Sequence, residues 1–382
     1  MADPRAWTRR EALELLGMGV AAAALPTRLL AAPSFPKGAV IRTVLKDYAP
    51  EELAGGATLF HEHMSFQDDF MTRWTGYAAD TRRETAMPGA AQAPAAPRPA
   101  SATPPPAPPS TPSGQYFMRD LAYQTEEMKL AKADGVACIV DGGHPDMGRD
   151  INFLKQISQQ SGLPIVAGGG FYTQPFYPKE IATWSEEQVF QALMKQAATE
   201  PIGCWGEIGS WDWITKDERK VFRAVGRAAV ATNLPIFTHT GIPGKSALEQ
   251  LDIFEDVGVD PKKVVIGHLG NLVDPNVEVH RAICRRGAFI GFDRQGAPGD
   301  TQQVPMVIKL LEAGYANHIM IASDLSNIAQ TKQSKGPGYA RALTVFVPKL
   351  KEAGANEAVL KQIMNDNPRQ FLAFVPKQAR KG

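Results

Sequence analysis

An α/β chain folded as an eight-stranded (β/α)8 TIM barrel is what this sequence of 382 residues predicts, on three observations. Short, near-continuous apolar runs rich in β-branched residues recur eight times, as strands buried on both faces require. Amphipathic stretches of helical period lie between them. Side chains of metal-binding type stand where the runs end, and in such a barrel every strand's C-terminal end opens on one shared mouth. The rival, a doubly wound open sheet, is disfavoured: no Gly-x-Gly-x-x-Gly or Gly-x-x-x-x-Gly-Lys-Ser/Thr turn follows a run, and Gly168-Gly169-Gly170 fits neither pattern.

Along the chain the first strand is read at Thr58-Leu59-Phe60 and ends in His61-Glu62-His63. The second is Cys138-Ile139-Val140, preceded by a helix over Tyr123 to Asp134. The third is Ile165-Val166-Ala167, and the fourth, Cys204-Trp205-Gly206, ends in Glu207. A helix over Asp217 to Thr232 leads to the fifth, Pro235-Ile236-Phe237, which ends in His239. After the helix Ser246 to Asp256 comes the sixth, Val264-Val265-Ile266, which ends in His268. The seventh is Ala288-Phe289-Ile290. The helix Val304 to Ala313 then precedes the eighth, Ile319-Met320-Ile321, which ends in Asp324.

Composition bounds the function class. With 44% hydrophobic and 21% charged residues the chain is neither disordered nor fibrous, and 41 Lys+Arg against 40 Asp+Glu lacks the basic excess of a nucleic-acid binder. The odd set Cys138, Cys204 and Cys284 has no metal-ligand spacing, and the first two fall in apolar runs as small buried hydrophobes.

Two segments stand apart from the barrel, which spans 37–376. Residues 1–32 are read as an export signal, with Arg5, Arg9 and Arg10 ahead of an uncharged run from Leu15 to Pro26 and a small-residue stretch at Ala31-Ala32. Arg9-Arg10 resembles the twin-arginine signal of bacterial export, which implies a periplasmic destination and the export machinery as a partner. The uncharged run is too short to span a membrane. From Pro88 to Ser113, ten Pro and eight Ala in twenty-six residues predict a disordered insertion in the loop after the first strand.

The residues at the strand ends carry the chemistry. Two His at spacing two share one side of a strand, so the imidazoles of His61 and His63 are expected in the mouth, joined there by Glu207, His239, His268 and Asp324. Imidazole nitrogen and carboxylate oxygen suit divalent ions, zinc first, with Fe, Co and Mn as alternatives. Six ligands exceed what one tetrahedral ion uses, so two divalent metal ions are expected. Paired ions about 3.5–4 Å apart can share a hydroxide whose parent water has a pKa near 7. Hydrolysis of an ester-like bond follows, with Glu207 as bridge and Asp324 as acceptor of the hydroxide's proton. His144, after strand two, is read as a loop histidine, and His280 and His318 are assigned no role.

His61-Glu62-His63, Thr238-His239-Thr240, Ile266-Gly267-His268-Leu269-Gly270, Phe289-Ile290-Gly291-Phe292-Asp293-Arg294 and Ala322-Ser323-Asp324 together resemble the metal motifs of the phosphotriesterase family in the amidohydrolase superfamily. The resemblance extends through Asp146-Met147-Gly148-Arg149-Asp150 to Asn367-Pro368-Arg369-Gln370-Phe371-Leu372. It implies that His61, His63 and Asp324 hold the more buried ion and His239 and His268 the more exposed one. It also implies lactone, carboxylic-ester or phosphoester substrates, and, since members often dimerise, a homodimer. Where most hydrolytic members carry a carboxylated Lys as bridge, this chain has Glu207, as in the homology-protein branch. Lactonase members are similar at Gly170-Phe171-Tyr172 and Asp293-Arg294, which makes Tyr172 and Arg294 candidate substrate contacts.

Gly206-Glu207-Ile208-Gly209 followed by Trp211-Asp212-Trp213 also resembles the TatD-like deoxyribonucleases, the enzyme alternative. A non-catalytic, metal-stabilised binding protein is the further alternative.

Overall fold

The computed structural model describes residues 33–86, 110–241, 244–272, 274–296 and 299–377. The predicted signal at 1–32 and residues 88–109 of the Pro-rich segment lie outside them. The last four residues of that segment, 110–113, are among the described residues. Ser110 bridges to Tyr116, and the buried hydroxyl of Thr111 donates to Asp120 at 2.6 Å.

Eight parallel strands lie side by side in chain order: β1 (Ala57–Glu62), β2 (Val136–Asp141), β3 (Ile165–Gly169), β4 (Ile202–Ser210), β5 (Ile236–Thr240), β6 (Val264–Ile266), β7 (Phe289–Phe292) and β8 (Ile319–Ile321). Each predicted run falls in one of them, and the whole is a nearly closed TIM barrel. The outer helices are α1 (Phe70–Ala86), α2 (Leu121–Ala133), α3 (Ile151–Ser161), α4 (Glu186–Thr199), α5 (Lys216–Thr232), α6 (Ala247–Asp256), α7 (Glu278–Arg285) and α8 (Asp300–Glu312). Helix α1, between β1 and the Pro-rich segment, was not anticipated from the sequence. Helix starts are set by side chains that satisfy free backbone N–H groups. Asp120 accepts from Tyr123 N at the head of α2, and Thr215 and Glu218 form a reciprocal box at the head of α5.

Strand side chains alternate between two apolar layers, as the two-residue period requires. Phe60, Val140, Val166, Cys204, Phe237, Val265, Phe289 and Met320 fill the interior. Leu59, Ile139, Ile165, Trp205, Ile236, Val264, Ile290 and Ile319 face the helices. Burying each of the interior aromatics contributes roughly 2–3 kcal/mol. The antiparallel pair Ile41–Arg42 and Asp47–Tyr48, with Phe371 and Leu372 from the C-terminal helix Asn367–Leu372, covers the N-terminal end of the barrel. Cys138, Cys204 and Cys284 are buried free thiols, and burial pushes Cys138 up to about 12.

Two register shifts matter for the mouth. With Phe60 pointing inward, strict alternation would turn His61 and His63 out of the barrel. Between Leu59 and Glu62, however, β1 advances one residue more than β2, and β4 does the same against β5 between Trp205 and Ile208. Such bulges re-aim the side chains that follow. His61 and His63 therefore enter the mouth, and Glu62 turns to the seam between the first and last strands. There its carboxylate accepts from Ser323 N at 2.6 Å and Leu325 N at 3.0 Å, while Asp324 N donates to the His61 carbonyl at 3.1 Å. Among the described residues, no helix is long and apolar enough to cross a membrane.

Candidate metal centre

Glu207 lies at the centre of the mouth with imidazoles on both sides. Its Oε1 is 3.2 Å from His63 Nε2; its Oε2 is 3.3 Å from His61 Nε2, 3.1 Å from His239 Nδ1 and 3.5 Å from His268 Nε2. Asp324 Oδ1 is 3.2 Å from His63 Nε2 and 3.8 Å from His61 Nε2. The six residues singled out at strand ends thus converge, and all are buried except Asp324, which is slightly open to the cavity. His61, His63 and Glu207 form one group compact enough to hold an ion, and Glu207, His239 and His268 form another. His268 and Asp324 reach their places in the left-handed backbone region, at φ 61° and 48°. This conformation is unfavourable for side chains other than Gly and is typical of functional sites.

Asp293, directly after β7, organises the cluster and was not among the residues singled out. Its Oδ2 takes His61 Nδ1 at 2.9 Å and its Oδ1 takes both His268 Nδ1 and His268 N, each at 2.9 Å. Fixing Nδ1 of two imidazoles aims both Nε2 atoms at Glu207, the role that carboxylates play behind metal-bound histidines. The rule that singled out the other six, a polar residue at a strand end, also points to this one.

The electrostatics fit a cation. Burial opposes ionisation of Glu207, yet His61 and His239 hold it well below the usual carboxylate range. Asp324 is likewise held low against burial, by Arg294 and His61, and Asp293 by His268 and His61. Burial would lower the imidazoles, but the carboxylates raise His61 well above its ordinary value and His63 to about 9. His239 goes the other way, to about 4, under burial and the neighbouring His268. Two carboxylates, Glu207 and Asp324, share the space in front of the His61 and His63 Nε2 atoms, a donor set of the kind that binds a cation. The buried His61 Nε2, with no hydrogen-bond partner, faces them in the orientation of a metal ligand.

Tyr172 and Arg294 both reach this cluster. The Tyr172 hydroxyl is 3.0 Å from His239 Nδ1 and accepts from Trp74 Nε1 at 2.9 Å. Arg294 pairs with Asp324, Nε to Oδ2 at 2.8 Å, places Nη2 3.0 Å from His268 Nε2, and stacks its guanidinium on Trp74. Trp74, carried by α1, was missed with its helix. A cavity of about 250 Å³ opens over the cluster, with Phe66, Phe70, Met71 and Trp74 on an apolar wall and Gln295, Ser326, Gln330 and Arg341 among its polar lining. His144 and His280 lie apart from the six. His280 bonds Leu269 O at 2.9 Å and Asp274 at 3.2 Å, and His144 is buried beside Asp146.

Fold and site define the class: an eight-stranded (β/α) barrel with buried His and carboxylate groups, able to hold metal, at its C-terminal mouth. The phosphotriesterase family model matches residues 41–372, and the chain belongs to that family of hydrolases. It is 29% identical over 269 residues to the human N-acetyltaurine hydrolase, covering 65% of this chain and 76% of that one. It is 33% identical over 269 residues to the aryldialkylphosphatase of Saccharolobus solfataricus, covering 65% and 84%. Among solved structures, the phosphotriesterase homology protein of Escherichia coli, complexed with phosphate in its active site, superposes with a TM-score of 0.69. The identity is 25% across 85% of this chain and 100% of that one. The family assignment decides against the TatD-like nuclease.

Proposed function

We propose that this protein is a metal-dependent hydrolase that cleaves a lactone, carboxylic-ester or phosphoester bond in a small molecule. The observation that carries the reading is the position of Glu207, one carboxylate with imidazoles from β1, β5 and β6 on its two oxygens. Two divalent ions, zinc first, held by His61, His63 and Asp324 on one side and His239 and His268 on the other with Glu207 between, would supply Lewis-acid polarisation and an activated water nucleophile. Asp324 is the proton acceptor, because Arg294 occupies its Oδ2 while Oδ1 faces the cluster. Tyr172 is kept protonated by burial and the nearby Glu207; it accepts the Trp74 hydrogen and lies 3.0 Å from His239 Nδ1, which holds its hydroxyl beside the cluster as a contact for an oxygen of the substrate. The named relatives act on different bonds, so the cavity walls choose among them. Export through the twin-arginine route is proposed on Arg9-Arg10 and the uncharged run behind it.

The test is ion content together with turnover on one purified sample, using a γ-lactone, an aryl ester and an aryl dialkyl phosphate. About two ions per chain and turnover lost on chelation and regained with a divalent ion support the reading. Less than one ion with no turnover of any of them sinks it, whereas about two ions with no turnover favours the metal-stabilised binding-protein alternative.

A further inference from the structure

Among the described residues three arginines are buried: Arg149 at 7% exposure, Arg369 at 3% and Arg341 at 8%. Arg149 is paired with Glu200, and Arg369 with Asp366 at 2.7 Å. That is the ordinary condition of a buried guanidinium, since removing an unpaired charge from water is costly. Arg341 differs. Its Nη2 donates to the Ser323 carbonyl, its buried Nε, like that of Arg149, has no hydrogen-bond partner, and unlike the other two it forms no ion pair among the described residues. The three carboxylates whose charge it feels are engaged elsewhere. Glu62 holds Ser323 N and Leu325 N, Asp324 Oδ2 holds Arg294, and Asp300 holds Gly296 N and Lys349.

The position of Arg341 is nonetheless fixed. Ser323, which follows β8 and immediately precedes Asp324, accepts from Arg341 through its carbonyl. The Ser323 hydroxyl donates to Tyr339 O at 2.9 Å and accepts from Ala342 N at 3.2 Å. Directly after Arg341 the backbone widens into a π-helical turn, Ala342–Phe346, a feature that recurs at functional sites. This guanidinium, held by Ser323 and without an ion pair among the described residues, lines the same cavity as His63, Glu207 and Asp324.

We propose that Arg341 is a specificity residue that binds an anionic group of the substrate, so that the bond cleaved at the Glu207 cluster belongs to a molecule carrying a carboxylate or similar oxyanion at its other end. The proposal rests on the hydrolase reading and narrows its substrate class. A planar guanidinium with free N–H donors matches a carboxylate, and the match is strongest where water is excluded. The apolar wall of Phe66, Phe70 and Met71 would cover the carbon chain between the two ends.

The experiment compares two p-nitrophenyl esters of equal length, the glutarate monoester with its distal carboxylate and the neutral pentanoate, on the metal-loaded protein. The wild type is expected to favour the glutarate ester by about tenfold or more in kcat/KM. Arg341→Gln should raise KM for that ester about tenfold with a much smaller change in kcat, and change the pentanoate far less, while Arg341→Lys keeps part of the preference. A wild type that does not distinguish the two esters, or an Arg341→Gln variant that loses both equally, overturns the proposal. A second readout needs no turnover. In chelator-treated protein, glutarate should raise Tm, its neutral diamide should not, and the rise should vanish in Arg341→Gln and, if that variant does not fold, weaken in Arg341→Lys and with added salt. If the hydrolase reading fails, neither ester is cleaved yet the glutarate shift persists. If the anchor fails, esters are cleaved without preference and the shift is absent.

Discussion

The floor and the mouth of this barrel are made from the same strands and follow opposite rules. On the floor, Phe60, Val140, Phe237, Val265, Phe289 and Met320 interlock with no polar atom among their side chains. A residue or a few further along the same strands, His61, Glu207, His239, His268 and Asp324 crowd polar atoms into a group that could hold a metal ion. The floor holds the strands in register, and the mouth uses that rigidity to keep unfavourable neighbours together.

If that division is right, a change at the mouth should cost activity and one on the floor should cost stability. The largest effect is expected from Asp324→Asn, about 10²- to 10⁴-fold in kcat, with Tm moved by only a few degrees; steady-state kinetics and calorimetry on one preparation check it. Loss of folding together with activity would contradict the division. Phe289→Ala is the converse. Phe289 packs edge-on against Phe371 with ring centres 6.0 Å apart, and its truncation should cost about 3–5 kcal/mol in urea unfolding while the surviving folded fraction keeps its kcat.

A buried polar group outside the barrel refines the contrast by pH. Glu218, at the head of α5, is pushed up to about 7 by burial although Thr215 N and Gln174 N donate to it. A raised carboxyl favours the folded state while protonated, so its contribution is complete below the unfolded value near 4.5 and is lost as pH rises through about 7. Glu218→Gln should lose less stability than the wild type between pH 5 and pH 8, by about 2–3 kcal/mol in paired denaturant titrations. Equal pH profiles would show that its amide donors offset burial. The smallest effect is expected at Tyr172→Phe, which strips Trp74 Nε1 of its acceptor. About 1–2 kcal/mol, or roughly tenfold in kcat/KM, should follow, with no change in ion content.

How far the sequence disclosed all this also divides along the barrel. Strands were legible because burial on both faces leaves a near-continuous apolar run, and ligand types at their ends needed only the rule that those ends converge. The inward aim of His61 and His63 was expected for too simple a reason. Spacing of two puts them on one side, but which side depends on a bulge that shows only against β2. Asp293 was legible by the strand-end rule and overlooked. Trp74 and Arg341 were not legible, because a side chain from a connecting segment reaches the cavity only through how that segment packs. Helix α1 is an example: its Trp74 meets Tyr172, almost a hundred residues downstream.

Glu62 has a consequence for how the molecule comes into being. The amides it clasps lie 261 and 263 positions further along the chain, so the seam joins segments far apart in sequence. Contacts of such separation form late, after the loop-closure cost has been met by nearer pairings. The flanking His61 and His63 meet Asp324 across the same seam. A metal held between these residues, as proposed above, would therefore be bound strongly only once the ring is complete, and tight binding would report that folding has finished.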